Sequence, residues 1–273
     1  VNQVDPLGSL LDEAAPDLPP AISAMRRQLL LAKLLRHFRL GDHYPTQPQA
    51  MLLANSLAQL LDQLYNADAS AAALCDFLPD DFSAHWQDIL ALLTILIERW
   101  PAILAGEGAM DAVDRRNSFI RWQARHWQKS QPDNLIVVAG STGSIKATRD
   151  LIAVVATLPN GYVVLPGLDR DADDLWADMA ADSNHPQHAL AELLDALSLR
   201  PDQVQDWLRT PVASLTQRAR RQFVREIFRP AAVTAAWQKL GDGPELPGRA
   251  ALDNLIMLTA RDRREEASLI ALC

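Results

Sequence analysis

Apolar residues recur along the first half of the chain at the three- and four-residue spacing of amphipathic helices. The clearest stripe follows Thr46 and Pro48, two residue types that are common where a helix begins. Because these apolar side chains share one helix face, we expect them to point into a core. The stripe consists of Leu53, Leu57, Leu60, Leu61 and Leu64.

The same periodicity predicts helices on both sides of this one, without an intervening strand. They cover Pro20 to about Leu40, and about residues 70–78, 83–100 and 111–129. Gly41 should end the first of them, and Pro101 should end or kink the third. We therefore expect residues 1–20 to be an extended lead-in and residues 21–130 to form an all-helical subdomain.

The pattern changes after residue 131. LIVVA (135–139) is a short apolar run rich in β-branched residues and bounded by turn formers, which is typical of a buried strand. A helical pattern over 146–158, a Pro-Asn-Gly turn, and a second apolar run, YVVLPG (162–167), follow. Strand, helix and strand in this order predict a parallel βαβ unit.

The remaining sequence is again mostly helical. Residues 169–182 are acidic and loop-like, with Leu175 and Trp176 as expected anchors, and GDGPELPG (241–248) reads as a linker. LIMLT (255–259) predicts a third strand that leads into a last helix. We expect a helix-rich α/β fold with an α/β part over 131–242 and the start of a second domain over 250–273. The helices of this part are predicted at about 186–198, 201–209, 211–227 and 230–240.

Composition narrows the class of protein only slightly. The chain has 273 residues, 49% of them hydrophobic, and a net charge of −8, which opposes a histone-like coat on nucleic acid but allows a local basic track. No apolar run reaches the ~18 residues of a membrane span, and the first residues do not resemble a signal peptide. With only Cys75 and Cys273 as cysteines, we expect a cytoplasmic protein without a disulfide framework. The chain starts without Met and stops within an apolar helical pattern, so we expect a fragment of a longer protein.

The glycine-rich turn after LIVVA invites comparison with nucleotide sites. A phosphate loop requires G-x-x-x-x-G-K-[ST], but Gly140 and Gly143 are three residues apart and Lys146 does not follow the second glycine. Motors of this kind also place an acidic pair at the end of a buried strand to hold Mg²⁺ and activate water. Ala139 and Gly140 occupy those positions, so the pattern indicates a tight turn without hydrolytic chemistry.

Several segments together resemble the AddB subunit of the bacterial AddAB helicase–nuclease in its alphaproteobacterial form. The most specific one is VVAGSTGSIKATRDLIAVVATLPNGYVVLPGLD (137–169), in which Lys146 replaces a proline that is usual in the family. The resemblance covers nearly the whole chain. The other segments are LPPAISAMRRQLLLAKLL (18–35), HWQ (85–87), RRN (115–117), HPQH (185–188), RPAAVTAAW (229–237) and ARDRREEASLIAL (260–272).

The resemblance implies a degenerate fold of the superfamily 1 helicase type, related to P-loop NTPases. VVAGSTGS falls where an active motor has its acidic motif, and LPGLDRD falls where it senses the γ-phosphate. Only Asp169 survives from the second motif, so Ala139, Gly140 and Asp169 are vestigial motor positions. The chain would then correspond to an internal part of the helicase-like N-terminal region, with no catalytic residue of its own.

The resemblance also implies partners and a process. The family subunit forms a heterodimer with an AddA-like helicase–nuclease subunit, engages DNA ends in double-strand break repair by homologous recombination, and is a candidate reader of recombination hotspots. Mg²⁺, ATP and an iron–sulfur cluster belong elsewhere in the family's chain or complex, so no cofactor, metal or membrane is expected here.

Two groups of residues are candidates for contact with DNA. The first group lies at the carboxyl end of the predicted strand and opens the next helix, where ligands and anions commonly bind. The second forms a basic stripe on one helix face, where guanidinium groups could pair with phosphates. The first group is Ser141, Thr142, Ser144, Lys146 and Thr148, and the second is Arg218, Arg221 and Arg225, continued by Arg229.

Other interpretations remain open at this stage. Any basic stripe, including those at Arg121, Arg125 and Lys129 and on the first helix, can be an ordinary solvated surface. HPQH could grip a metal through two histidines, although a surface helix cap is the simpler interpretation. The alternative function is a helical interaction module that holds the partner helicase subunit without touching DNA, and the missing motifs disfavour an active NTPase.

Overall fold

A computed structural model of the chain describes residues 18–37, 43–69, 99–172, 175–206, 214–240 and 249–272. The chain divides into two compact units. The first comprises Val1–Pro166 with Asp195–Ser198, and the second comprises Gly167–Leu194 with Leu199–Cys273. The structure is helix-rich with a small parallel sheet, as predicted, whereas the helicase relationship and the domain limits at 130 and 250 stay predictions.

The first unit is built on a pair of packed helices, α1 (Ala24–Arg36) and α2 (Gln47–Ala67). The side chain of Ser23 accepts a hydrogen bond from the N–H of Arg26, and the side chain of Gln49 accepts one from the N–H of Thr46. Both contacts satisfy amide groups at helix starts that would otherwise have no partner.

The leucine stripe predicted for α2 faces the core between these two helices. Leu57, Leu61 and Leu64 are buried, and Leu53 and Leu60 are partly buried. Two fully buried alanines of α2, Ala50 and Ala54, were not predicted. Their small side chains add little bulk at the contact with α1.

The structure corrects the predicted start of the first helix and excludes one of the two effects predicted for Pro101, an end of the helix. The first helix begins at Ala24 and not at Pro20, because the backbone before it is paired with Met110: the Met110 N–H donates to Pro20 O at 2.9 Å. Pro101 does not end a helix, since residues 99–106 are helical across it. The φ angle of proline is compatible with a helix, so the chain can continue beyond it, whereas its missing N–H and its ring disturb the turn before it. The predictions for Leu40 and for residues 70–98 lie outside the described residues.

Helix α3 (Ala112–Ser130) is preceded by its N-cap residue Asp111, whose side chain makes no hydrogen bond to the helix start. Its carboxylate is completely buried and binds elsewhere: Oδ2 accepts a hydrogen bond from Trp100 Nε1 at 2.7 Å, and Oδ1 lies 2.5 Å from Arg27 Nε. Arg27 also pairs with Asp62 of α2 at 2.9 Å. A buried ionic cluster therefore links α1, α2 and the start of α3.

We expect Asp114→Asn to make the protein more stable near neutral pH. Burial raises the pKa of Asp114 above its ordinary value of 3.8, and the nearby carboxylate of Asp111 adds to this shift, although Arg121 opposes it. Since folding favours the protonated form, the native state is penalised above the folded pKa, and the penalty disappears as the pH falls through that pKa towards 3.8.

Denaturant unfolding of both proteins between pH 4 and pH 7 measures this difference. The gain of Asp114→Asn should be largest at pH 7 and should vanish at the acidic end. Asp202→Asn is a control for which the stability change should have the opposite sign. The hydrogen bond from Arg200 lowers the pKa of Asp202, so the charged carboxylate stabilises the folded protein and its loss should destabilise it. A constant difference across the pH range would contradict the prediction.

The βαβ unit is confirmed. Strand β1 (Ile136–Ala139) runs parallel to β2 (Gly161–Val164), with Ile136 opposite Gly161 and Ala139 opposite Val164. Helix α4 (Lys146–Thr157) connects the strands and buries Ala147, Ile152 and Val155. It also packs against α3, so the sheet is joined to the helical part of the first unit.

The prediction that β1 is buried on both faces was wrong. In the described structure the sheet has two strands, and Val137 and Tyr162 are 47% and 53% exposed. A parallel strand is buried on both faces only where both faces of the sheet are covered. An apolar run shows that a strand can be buried on both faces, but the elements packed against the sheet determine whether it is.

The second unit is composed of short helices. A small core forms around Ala172, Leu175 and Met179, with Trp176 packed against it, which confirms the predicted anchors of the acidic segment. Its described helices are α5 (Trp176–Ala181), α6 (His188–Ala196, whose last two residues belong to the first unit), α7 (Leu215–Ile227), α8 (Trp237–Leu240) and α9 (Arg263–Leu272), with 3-10 turns at Pro201–Gln203, Ala231–Ala236 and Arg249–Leu252.

Three predictions for this unit need correction. The acidic segment 169–182 contains helix α5, and the helix predicted from 201 is a single 3-10 turn in the described residues up to 206. LIMLT is not a strand: Ile256 and Met257 are 81% and 87% exposed, and no described strand pairs with them. A strand needs a hydrogen-bonded neighbour, which local propensity cannot supply. None of the described helices has the length and apolar character required to cross a membrane.

Candidate nucleic-acid interface

The turn between β1 and α4 is held by its own residues. Gly140 and Gly143 have φ angles of 77° and 68°, in the left-handed region that side chains with a Cβ rarely adopt. The Gly143 N–H donates to Ser141 Oγ at 3.3 Å, and Arg149 Nε donates to Gly143 O at 3.1 Å. The predicted tight turn is therefore confirmed.

The candidate DNA contacts of this turn differ in exposure. Ser144 and Lys146 are exposed, whereas Ser141, Thr142 and Thr148 are partly buried. Lys146 Nζ lies 3.3 Å from Asp150 on the next turn of α4, so its charge is partly neutralised. The residue before α4 is Ile145, whose side chain cannot accept hydrogen bonds from the first amides of the helix. An anion could accept them.

The two positions predicted as vestigial, Ala139 and Gly140, lie at the end of β1 and directly after it. Ala139 is the last residue of the strand, and the N–H of Gly140 donates to Val164 O at 3.0 Å. A methyl group and a hydrogen atom cannot coordinate a cation or accept a proton. These two positions therefore lack the carboxylates with which hydrolytic motors hold Mg²⁺ and activate water.

Asp169, the third position predicted as vestigial, is paired with one of the predicted DNA-binding arginines. Asp169 accepts two hydrogen bonds from Arg225, at 2.7 Å from Nε and 2.6 Å from Nη2. Both side chains are mostly buried, with 21% and 15% exposure. Such a bidentate pair fixes the orientation of both planes, so Arg225 has a structural role in attaching α7 to the loop at 169.

The basic stripe of α7 remains on the surface. Arg218 and Arg221 are exposed, and α7 has no buried residue. The helix packs on the 3-10 turn at 249–252, where Arg220 Nε donates to Ala251 O at 3.1 Å. Arg220 and Arg225 are about 140° apart around the helix axis, so they lie on different faces of α7. The 3-10 turn that contacts Arg220 therefore does not cover the basic stripe.

The loop next to this stripe is held by residues whose role the sequence analysis missed. The Gln187 side chain accepts a hydrogen bond from the Asp169 N–H at 3.1 Å and donates one to Gly167 O at 2.9 Å. His185 accepts one from the Gln187 N–H at 3.1 Å, and its Nε2 lies 2.8 Å from Phe228 O at the end of α7. The HPQH motif marked these residues in the sequence, but it did not indicate their partners, which are 18–43 residues away along the chain.

Both histidines of HPQH contact backbone groups in the structure. Both ring nitrogens of His185 are within hydrogen-bond distance of backbone groups, and His188 Nδ1 lies 2.8 Å from Ala180 O. Across the ranges that the structure describes, no group of three His, Cys, Asp or Glu side chains is arranged to hold a metal. The surface cap that we expected is only partly right, because His185 is buried.

The other basic clusters make structural contacts. Arg121 pairs with Asp68 at 2.6 Å, and Arg26 pairs with Glu107 at 2.8 Å. Trp122, next to Arg121, stacks on His126 with ring centroids 5.2 Å apart. These contacts favour the interpretation of both clusters as parts of the helical scaffold, and α7 is the better candidate for a phosphate track.

The turn at 140–148 belongs to the first unit and the stripe of α7 to the second.

Comparison with protein-family models, with curated proteins and with solved structures found no match. The resemblance to AddB is therefore carried by the quoted motifs alone, and the function that it implies is a proposal.

Proposed function

We propose that this chain is a DNA-engaging, non-hydrolysing scaffold from a helicase–nuclease that repairs double-strand breaks. The observation that carries the proposal is the surface of α7, where Arg218 and Arg221 are exposed beside Arg225 on one helix face. Arginines in such a row can pair with successive phosphates. The chain as a whole is acidic, so a contact with a polyanion requires a local basic surface such as this stripe.

The non-hydrolysing part of the proposal is supported by the end of β1. The residues at the positions of the catalytic acids are Ala139 and Gly140, and the remaining motor-like carboxylate, Asp169, is bound to Arg225. A carboxylate that accepts two hydrogen bonds from a guanidinium group is occupied by a structural contact. The AddA-like partner would then supply nucleotide hydrolysis, and this chain would guide DNA.

Binding of the purified chain to a fluorescent forked DNA duplex at increasing salt concentration tests this function. We expect a linear fall of log affinity with log salt, and a slope reduced in magnitude by about one in Arg218→Ala and in Arg221→Ala. Arg261→Ala is the control, because Arg261 is a 90% exposed arginine outside α7. Arg225→Ala is less informative, since it also breaks the pair with Asp169.

Two results would contradict the proposal. Absence of binding, or a salt slope near zero, would show that the proposed DNA contact is wrong. ATP turnover by the purified chain would show that the proposed non-hydrolysing role is wrong. The first result would favour the second candidate, an interaction module for the partner helicase subunit. That candidate is supported by the exposed apolar residues 255–258, whose side chains are each more than half exposed.

A further inference from the structure

One carboxylate lies in front of the basic stripe without being tightly bound to it. Asp171 Oδ2 is 3.9 Å from Arg221 Nη1 and 4.0 Å from Arg225 Nη2, so it bridges two cations at the outer limit of an ion pair. Its side chain is 69% exposed. By contrast, Asp169 contacts Arg225 at hydrogen-bond distance and is mostly buried.

The backbone that carries Asp171 is fixed independently of this contact. Gln187 binds Gly167 and Asp169 in the same loop, and the Asp171 N–H donates to Asp169 Oδ1 at 3.3 Å. These hydrogen bonds therefore hold the backbone of Asp171 beside the stripe, whichever way its side chain points. A loosely paired, exposed carboxylate gains little energy from its ion pairs and can be displaced.

From this arrangement we propose that Asp171 is a specificity-determining residue of the α7 stripe, occupying the place of a phosphate until a nucleic acid displaces it. The inference depends on the proposed DNA contact. An isolated anion must compete with a carboxylate that is held close by the chain itself. A nucleic acid presents several linked phosphates, so contacts with Arg218 and its neighbours can compensate for the displacement.

Asp171→Asn tests the proposal, with forked DNA duplex as the probe and the full chain as the protein. The substitution keeps the size of the side chain and removes its charge, and at this exposed position it should leave folding unchanged. At about 50 mM salt we expect affinity to increase about two- to fivefold, which corresponds to a weak surface ion pair. The salt slope should steepen by up to about one, because the stripe loses its internal counter-charge.

Asp206→Asn is the matched control. Asp206 is also 69% exposed, and it pairs with Arg170, the neighbour of Asp171, and not with the α7 stripe. Both variants change the net charge equally, so a long-range effect would appear in both. Equal affinities and slopes for the two variants would overturn the inference, whereas an increase confined to Asp171→Asn supports it.

The experiment also separates this inference from the function on which it depends. If the wild type and Asp171→Asn both fail to bind DNA, or bind with a salt slope near zero, the proposed DNA contact is wrong. The role proposed for Asp171 is then wrong as well. If the wild type binds with a clear salt slope and Asp171→Asn matches Asp206→Asn, only the role of Asp171 is wrong. Asp171→Ala should reproduce the result of Asp171→Asn, and a discrepancy would count against a purely electrostatic role.

Discussion

Gly161→Ala is expected to lower the free energy of unfolding of the first unit by about 3–4 kcal/mol. A Cβ at this position would lie 1.9 Å from Val155 O and 3.0 Å from Leu158 Cβ. The first contact is with backbone at the end of α4, which cannot turn aside as a flexible side chain can. Because Gly161 is also the first residue of β2 and pairs with Ile136, relief of the clash would disturb the parallel sheet.

Gly106→Ala is the matched control for this experiment. Gly106 is helical and exposed, and a Cβ there would meet nothing within 4 Å. Alanine is the better helix former, so we expect a stability equal to the wild type or up to about 1 kcal/mol higher. Urea unfolding followed by circular dichroism measures both variants. A Gly161→Ala variant as stable as the wild type would show that the turn before β2 does not lie against α4.

Arg27→Met is expected to destabilise the first unit by about 3–5 kcal/mol, because it leaves a charged carboxylate buried without its cation. Asp111 is completely buried, and without Arg27 its carboxylate would keep contacts with uncharged partners, among them the indole of Trp100 and the side chain of Tyr65. The contact between Arg27 and Asp111 is ionic and not a well-aligned hydrogen bond. Its loss is therefore felt mainly as the cost of an unpaired buried charge.

The double variant Arg27→Met/Asp111→Asn distinguishes this mechanism from loss of packing. The amide of Asn carries no charge, so the double variant should be more stable than Arg27→Met alone. Arg26→Met is the control on the adjacent residue, since Arg26 pairs with Glu107 on the surface and should change stability little. A double variant that is less stable than Arg27→Met would contradict the assignment of the cost to a buried charge.

These two tests probe the scaffold, and the DNA-binding tests probe the surface of α7. The distinction matters because some candidate arginines have both roles. Arg225 holds the loop at Asp169 and also faces Asp171, so its substitution changes stability and surface charge together. Arg218 and Arg221 are exposed, and changes in DNA binding on their substitution can be assigned to the stripe itself.

Local sequence was sufficient for the elements whose determinants lie within one segment. Capping residues and leucine spacing predicted α2, and the change from helical periodicity to β-branched runs predicted the parallel pair of β1 and β2. Local composition likewise placed Ala139 at the end of β1 and a tight turn at Gly140. These inferences succeeded because spacing, turn residues and helix caps act over a few residues.

The tertiary structure alone decided which polar residues meet. The sequence offered Asp169, Arg225 and the HPQH motif as separate features, and only the fold joins them through Gln187 into one network beside α7. It also decided that LIMLT is not a strand. By itself, therefore, the sequence determined helix content, the βαβ order and the absence of acidic side chains after β1, since these depend on residue type and local spacing. Burial, strand pairing and the partners of each charge depend on contacts between distant segments, which only the three-dimensional arrangement specifies.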